Sequence, residues 1–179
     1  MLSHAQIAQD PEIKNVVVDL SCNTGGAIDA CIYLAAWMLG KTDVSIENSL
    51  TGSKSTTTYS VDVNLDGEFD EDDTISDKNL YCIISPVSFS CGNYAPSLLK
   101  ASGDVTIVGK KSSGGGCMVN SAFTADATPF SISGVKQLAM VKNGTYYSID
   151  IGVEPDISLT KIERFYDRVE LTNYLKNLK

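Results

Sequence analysis

The sequence predicts an α/β fold, because short buried strands alternate along the chain with helices. Apolar runs rich in β-branched residues, typical of strands covered on both faces, occur at residues 15–20, 80–84 and 105–108. Apolar residues recur at helical spacing over 27–39, and a second helix is expected over 91–101. The length of 179 residues suits one ordinary domain with its own core.

The other predicted elements carry weaker signals. They are, in chain order, a helix over 3–11 capped by Ser3, one or two exposed strands over 44–61, a hairpin region over 117–152 and a closing helix over 164–178. Asn143-Gly144 is a strong hairpin signal, since both residue types tolerate the positive φ of a tight turn. We interpret residues 1–179 as a single domain in which 44–79 is an insertion.

The composition excludes several classes of function. The formal net charge is −8, and seven of the 22 acidic residues lie between Asp62 and Asp73. An acidic surface repels phosphate backbones, so we expect no nucleic-acid partner. No run approaches the roughly 18 apolar residues of a membrane span. The N-terminal residues lack the basic and apolar regions of a signal peptide.

The cysteines favour neither a disulfide framework nor a zinc ribbon, because they are five in number and form no Cys-x-x-Cys pair. Cys31 and Cys82 lie in apolar runs and are interpreted as small core residues. Cys22, Cys91 and Cys117 lie beside glycines. A redox-sensitive cluster of these three is the alternative to five reduced packing residues.

Ser90 is the candidate for chemistry. It lies where the strand over 80–84 gives way to the helix over 91–101. Such a junction exposes the hydroxyl and brings free N–H groups of the first helical turn close to a reacting carbonyl. A serine also needs a base before it becomes a good nucleophile. The alternative is that Ser88 or Ser90 merely caps the helix.

Four motifs occur in a fixed order over residues 15–157. They are Val16-Val-Val-Asp-Leu-Ser-Cys-Asn-Thr-Gly-Gly26, Ser88-Phe-Ser-Cys-Gly-Asn93, Ile107-Val-Gly-Lys-Lys-Ser-Ser-Gly-Gly-Gly116 and Gly152-Val-Glu-Pro-Asp156. This ordered set resembles the motifs of the tail-specific, or C-terminal processing, serine peptidases, with Ser90 in the place of the nucleophile. The resemblance implies a crotonase-like ββα spiral core and hydrolysis of peptide bonds in extended or C-terminal polypeptide segments.

The resemblance also implies roles for residues around Ser90. The N–H groups of Gly25 or Gly26, together with that of Cys91, would form an oxyanion hole. Asp150, just before the last motif, is a candidate carboxylate of the site. Its alternative role is that of a loop residue capping the hairpin.

One position departs from the serine–lysine members of the family. They carry a lysine where this chain has Gly115, whereas Lys110 and Lys111 come earlier and are interpreted as solvated turn residues. The chain therefore resembles more closely the tricorn-like branch, in which the serine uses a histidine and a carboxylate. His4 is the only histidine and lies in a polar stretch, so we expect a histidine base to come from further upstream.

Residues 62–73 match the twelve-residue pattern of a calcium loop. The predicted ligands are Asp62, Asn64, Asp66, the backbone carbonyl of Glu68, and Asp73. Gly67 permits the sharp turn, and Asp73 stands where such loops usually carry glutamate. We expect a structural calcium ion here, in a loop without paired helices. The alternative is an acidic loop without a metal.

These observations predict a serine peptidase core with a polypeptide substrate. One alternative is a catalytically inactive peptide-binding or scaffold module of the same fold. Another is a crotonase-type acyl-CoA enzyme, which the motif order and the lack of a basic site for CoA phosphates disfavour. The family often acts outside the cytoplasm, where calcium is abundant, so we expect an extracytoplasmic or cell-envelope location. Upstream domains of the same protein are expected partners.

Overall fold

Strands and helices alternate in the structure as the sequence predicts. The computed structural model describes residues 2–159 and 167–177. Within these ranges the helices are α1 Leu2–Gln9, α2 Ile28–Leu39, α3 Cys91–Ser102 and α4 Arg168–Lys176. The strands are β1 Asn15–Asp19, β2 Thr42–Asn48, β3 Lys54–Tyr59, β4 Asn79–Ile84, β5 Val105–Gly109, β6 Cys117–Phe123, β7 Pro129–Lys142, β8 Thr145–Ser148 and β9 Ile157–Ser158. The mixed α/β class is confirmed.

The first sheet is parallel, with the strand order β1-β4-β5-β9. β4 lies between β1 and β5, and it is buried from Leu80 to Ile84. Its alternate side chains enter different cores, because Leu80, Cys82 and Ile84 pack with α2 and α3 whereas Tyr81 and Ile83 pack with α4. Helices thus cover both faces of the sheet, which explains why this strand shows no polar–apolar alternation.

The second sheet is antiparallel, with the order β3-β2-β7-β6 and with β8 paired to β7. The predicted hairpin is confirmed, since Asn143 and Gly144 join β7 to β8 with φ of 51° and 73°. Two positive φ values in a two-residue connection are typical of a type I′ turn. β2 is partly buried and β3 is exposed along its whole length. The region predicted as one or two exposed strands therefore supplies one inner strand and one edge strand.

The terminal helices differ from the prediction in their boundaries. α1 begins at Leu2, one residue before the predicted cap position at Ser3. α4 begins at Arg168, because the Asp167 side chain accepts hydrogen bonds from the N–H groups of Val169 and Glu170. The earlier part of the predicted closing helix, 164–166, and residue 178 lie outside the described residues. Within the described ranges, no helix is long and apolar enough to cross a membrane.

Tyr94 of α3 is a fully buried tyrosine whose hydroxyl has no hydrogen-bond partner among the described residues. The hydroxyl lies near the backbone of Ser45 without the geometry of a hydrogen bond, and burial raises the pKa of Tyr94 above its usual range. A buried, unpaired hydroxyl opposes folding, because it gives up its hydrogen bonds to water.

We therefore predict that Tyr94→Phe leaves the free energy of unfolding unchanged or raises it by about 1 kcal/mol. Ser97→Ala is the matched comparison on the same helix, because the buried Ser97 hydroxyl donates to the Tyr94 carbonyl at 2.6 Å. Its loss should lower the free energy of unfolding by about 1 kcal/mol. Denaturant unfolding of both variants measures this difference. A Tyr94→Phe variant that is destabilised as much as Ser97→Ala would contradict the prediction.

Candidate active site

Three of the four sequence motifs meet at one edge of the parallel sheet. β1, β4 and β5 are neighbours and run in the same direction, with Asp19 in register with Ile83 and Ile84 with Gly109. Their carboxyl ends therefore share an edge, where ligands of open α/β sheets usually bind. The loops over 20–27, 85–90 and 110–116 all begin there.

The first two loops are joined directly by hydrogen bonds. The Ser88 hydroxyl donates to the Leu20 carbonyl at 2.8 Å, and the Phe89 N–H donates to the Asn23 carbonyl at 3.1 Å. Gly92, in the first turn of α3, lies so close to the Asn23 carbonyl that a Cβ atom would not fit between them. The start of α3 is thereby held against the loop that follows β1.

Ser90 adopts an unusual backbone conformation at this junction, with φ 54° and ψ −123°. A non-glycine residue in such a conformation costs on the order of 1–3 kcal/mol, so its surroundings must hold it there. The Ser90 N–H donates to the Gly114 carbonyl at 2.8 Å, and the Ser90 carbonyl accepts from the N–H groups of Asn93 and Tyr94. The half-buried Ser90 side chain makes no capping bond.

The capping alternative is wrong for both serines. Ser90 precedes α3 but its hydroxyl accepts no N–H from the helix. The Ser88 hydroxyl is fully buried and bonds to the Leu20 carbonyl and the Ser85 N–H, neither of which belongs to α3. Ser88 therefore joins two loops, and the Ser90 hydroxyl is left for another role.

The predicted oxyanion residues lie around Ser90 but differ in their hydrogen bonding. A Cβ atom at Gly25 would lie 2.8 Å from the Ser90 Cβ, so this glycine is in direct contact with the serine. The Gly25 N–H already donates to the Asn23 side chain at 2.8 Å. The N–H groups of Gly26 and Cys91 donate to no acceptor within residues 2–159 and 167–177. The Cys91 N–H is therefore a free donor directly after Ser90, and the Gly26 N–H is a free donor one residue beyond the glycine that contacts Ser90.

Asp150 holds the glycine-rich loop. Its carboxylate accepts the N–H of Gly116, and its backbone carbonyl lies against Gly114. Among the described residues, no hydrogen bond joins Asp150 to Ser90. In this structure Asp150 therefore reaches the serine only through the loop that it fastens.

His4 lies elsewhere, between α1, α2 and the acidic loop. It is 8% exposed, and its Nδ1 accepts a hydrogen bond from the Trp37 indole at 2.9 Å. Nε2 must then carry the proton that it shares with the Asp72 carbonyl at 2.7 Å. Both ring nitrogens are used in packing these segments together. Within the described part of the chain, no side chain hydrogen-bonds to the Ser90 hydroxyl.

Gly115, the position that the resemblance matches to the lysine of serine–lysine members, has no room for a side chain. A Cβ atom there would lie 2.7 Å from the Phe89 ring and 3.0 Å from the Ser90 nitrogen. Gly115 also has φ 87°, which side chains with a Cβ rarely adopt. Lys111 instead pairs with Glu154 at the surface, at 2.9 Å.

The cysteines are all free thiols. Cys31 is buried and donates a hydrogen bond to the Cys91 carbonyl at 3.3 Å. Burial, together with the neighbouring Cys91 thiol, raises the pKa of Cys31 to about 12. Burial also raises the pKa of Cys82. These two thiols are core residues, as predicted.

In the acidic loop, side-chain oxygens accept hydrogen bonds from backbone N–H groups of the same loop. Asp62 accepts from the N–H groups of Leu65 and Gly67 at 2.6 and 2.9 Å, and Asn64 and Asp66 accept from residues two positions further on. Asp73 is 3% exposed and accepts from the Val63 N–H at 2.6 Å. Among the described residues, no three His, Cys, Asp or Glu side chains converge closely enough to hold a metal ion.

Sequence reasoning missed three buried or paired residues that shape the site, Asn93, Ser112 and Asp156. Asn93 and Ser112 hydrogen-bond to each other at 2.5 Å behind Ser90. Asp156 accepts from the Ile107 N–H and pairs with Lys100, both at 2.9 Å, so the last motif binds to β5 and α3. All three residues lie in the quoted motifs, but no local signal in the sequence marked the hydrogen bonds that they make.

The comparisons with known proteins agree with this arrangement. The profile of peptidase family S41 matches residues 3–159. The chain is 32% identical over 108 residues to the Chlamydia pneumoniae protein CPj1016/CpB1054. The alignment covers 57% of the chain and 16% of that relative.

Solved structures share the fold at low identity. The photosystem II D1 C-terminal processing protease is 20% identical with a TM-score of 0.64, over 82% of this chain and 34% of that protein. A lipoprotein from Streptococcus agalactiae is 19% identical with a TM-score of 0.65, over 97% and 58%. The chain thus spans between about a third and somewhat over half of the length of these two proteins.

The chain belongs to peptidase family S41, whose members are serine peptidases. The resemblance to tail-specific peptidases that the four motifs indicate is confirmed. Three of the four motifs that define the resemblance are the segments that the parallel sheet brings to one edge.

We predict that Gly115→Lys does not create a serine–lysine site. The new side chain would collide with Phe89 and with the Ser90 backbone, so both stability and labelling of Ser90 by a fluorophosphonate should fall. Gly103→Lys is the matched control, because Gly103 has φ 84° and an added Cβ meets nothing within 4 Å. Melting temperatures and labelling rates of the two variants measure the effect. Faster labelling in Gly115→Lys than in the unmodified protein would contradict the prediction.

Proposed function

We propose that this chain is the catalytic core of a serine peptidase that cleaves extended or C-terminal polypeptide segments, with Ser90 as the nucleophile. The observation that carries the proposal is the backbone of Ser90. It is held at φ 54°, next to the Cys91 N–H and in contact with Gly25, and the N–H groups of Cys91 and of the following Gly26 have no partner in the described residues. A half-buried hydroxyl with no capping bond, next to a free backbone donor, is an arrangement that suits acyl transfer.

In the proposed reaction, a base removes the Ser90 hydroxyl proton as Oγ attacks the peptide carbonyl carbon. The N–H groups of Cys91 and Gly26 donate to the developing oxyanion, and loss of one such donor typically costs about 10²–10³ in rate. The protonated base then transfers its proton to the leaving amine. We propose that the base comes from a longer protein, since His4 is engaged by Trp37 and Asp72.

We predict that a fluorophosphonate labels Ser90 slowly in the 179-residue chain and rapidly in a longer protein that includes the upstream residues. Mass spectrometry should place the label on Ser90 and not on the fully buried Ser88, and Ser90→Ala should abolish both labelling and peptide hydrolysis. Rapid hydrolysis by the 179-residue chain would show that the base is already present. A longer protein that neither labels nor cleaves would contradict the proposal.

A second function, peptide binding without cleavage, has one observation in its favour. No side chain within the described residues contacts the Ser90 hydroxyl as a base. An inactive module would bind an extended peptide with the same affinity before and after Ser90→Ala, and no product would form. Product formation by the longer protein rules this function out.

We further propose that residues 62–73 bind a structural calcium ion. Asp62, Asn64, Asp66 and Asp73 offer the hard oxygens that Ca²⁺ prefers, and the Glu68 carbonyl would add another. Asp73 is 3% exposed, and its carboxylate accepts from the N–H groups of Val63, Asn64 and Asp70 but pairs with no cationic side chain in the described residues. These hydrogen bonds offset part of the cost of burying the charge, and a bound cation would offset more of it.

We predict that Ca²⁺ binding releases measurable heat and raises the melting temperature, with a dissociation constant on the order of 10⁻⁷–10⁻³ M. Asp62→Asn combined with Asp66→Asn should abolish both effects. Glu71→Gln is the matched control, because Glu71 is an exposed acidic residue of the same loop outside the predicted ligand set. Absence of heat and of a melting shift at millimolar Ca²⁺ would rule out the site.

A further inference from the structure

Asn93 connects segments of the chain that lie far apart in sequence. It is on the first turn of α3 and is fully buried. Its side chain bonds outside the helix in both directions, since Oδ1 accepts from the Ser112 hydroxyl at 2.5 Å and Nδ2 donates to the Ile149 carbonyl at 3.0 Å. A buried amide without partners is costly, so these bonds restrict where the neighbouring segments can lie.

Ser112 fastens the start of the glycine-rich loop. It is 4% exposed, and its hydroxyl donates to Asn93 and accepts from the Val153 N–H at 2.7 Å. Its own N–H donates to the Val153 carbonyl at 3.2 Å. The loop continues through Gly114 and Gly115, both at positive φ, and glycine segments lose much conformational freedom on ordering. The position of this loop therefore depends on its anchors.

The anchored loop closes a ring of hydrogen bonds around Ser90. The Gly114 carbonyl accepts the Ser90 N–H at 2.8 Å, and the Asn93 N–H donates to the Ser90 carbonyl at 2.9 Å. Asn93 thus binds the Ser90 carbonyl directly through its own N–H. It acts on the Ser90 N–H indirectly, because its side chain binds Ser112 and so anchors the loop that carries the Gly114 carbonyl.

We propose that Asn93 and Ser112 are positioning residues for the nucleophile, an inference that rests on the proposed function of Ser90. Their hydrogen bond keeps the Gly114 carbonyl on the Ser90 N–H and so fixes the φ and ψ at which the hydroxyl is presented. Because the Ser90 N–H is used in this way, the Cys91 N–H is the donor that this end of α3 offers to an oxyanion. Neither positioning residue touches the substrate in the proposed reaction.

The test compares Ser112→Ala with Ser97→Ala in the longer protein that includes the upstream residues, called the full-length protein below. Both remove a buried serine hydroxyl, but the Ser97 hydroxyl bonds only to the Tyr94 carbonyl within α3. Two quantities are measured at a temperature where both variants are folded. They are the hydrogen-exchange rate of the Ser90 amide and the second-order rate of fluorophosphonate labelling.

In Ser112→Ala the Ser90 amide should exchange at least about tenfold faster, because the loop that covers this amide opens more often. Labelling should slow by about tenfold or more, since small misplacements of reacting atoms are costly. Ser97→Ala should change neither quantity by more than about twofold, because the loop can open while α3 stays intact. Equal changes of the two quantities in both variants, or no change of either quantity in Ser112→Ala, would overturn the proposal.

A second variant keeps the test decisive should Ser112→Ala fail to fold. Ser113→Ala removes a hydroxyl of an exposed residue that donates to the Pro86 carbonyl in the nucleophile segment. It should raise the exchange of the Ser90 amide by a smaller factor, and no change would count against the loop as the support of Ser90.

The two proposals fail in different ways. If the full-length protein never labels at Ser90, the peptidase proposal fails, while the exchange rates still report whether the ring holds that residue. If Ser90 labels normally in Ser112→Ala, the positioning proposal fails and the peptidase proposal stands.

Discussion

The parallel pairing of β4 with β1 and β5 is the constraint on which the rest of the site depends. Parallel neighbours end at the same edge, so the chain leaves β1, β4 and β5 through three loops that must share one region. The burial of β4 on both faces fixes its register, since a slip of one residue would exchange Tyr81 and Ile83 with Cys82 and Ile84 between two different cores. The position of Ser90 therefore depends on the packing of β4 between the two cores.

Hydrogen bonds between the three loops then fix the detail. Ser88 and Phe89 bind the loop after β1, and Ser90 binds the loop after β5. None of these hydrogen bonds involves a charged group, and apart from the Ser88 hydroxyl every donor and acceptor is a backbone atom. The strained backbone of Ser90 is one result of this arrangement, because its N–H and its carbonyl are both engaged by fixed partners.

Much of the fold could be predicted from local patterns. The runs at 15–20, 80–84 and 105–108 are strands because burial on both faces demands continuous apolar sequence, and Asn143-Gly144 marked its turn by backbone preference alone. The position of Ser90 at the strand–helix junction followed from the strand predicted over 80–84 and the helix predicted over 91–101.

The parts that could not be predicted depend on partners distant in sequence. The hydrogen bond between Asn93 and Ser112 is an example. A buried asparagine in a helix and a serine in a glycine-rich loop show no periodicity that would reveal such a contact. The sequence also could not show which of Gly25 and Gly26 has a free N–H. The Gly25 N–H donates to the Asn23 side chain, and this contact is visible only in the folded structure. The boundary of α4 followed from Asp167, a cap inside a segment that the sequence already favoured as helical.

The acidic loop and the site are built on different principles. The loop carries its own polar partners, and His4 and Trp37 tie it to the helices through the Asp72 carbonyl. In the site, by contrast, the Cys91 N–H is free to donate, and no side chain within the described residues hydrogen-bonds to the Ser90 hydroxyl.

The structure of a covalent phosphonate adduct of the longer protein is the most direct test of the proposed role of Ser90. We expect this structure to show the phosphorus bonded to Ser90 Oγ and a phosphonyl oxygen about 2.7–3.1 Å from the Cys91 and Gly26 nitrogens. An adduct on another residue, or an oxygen that neither N–H approaches, would contradict it.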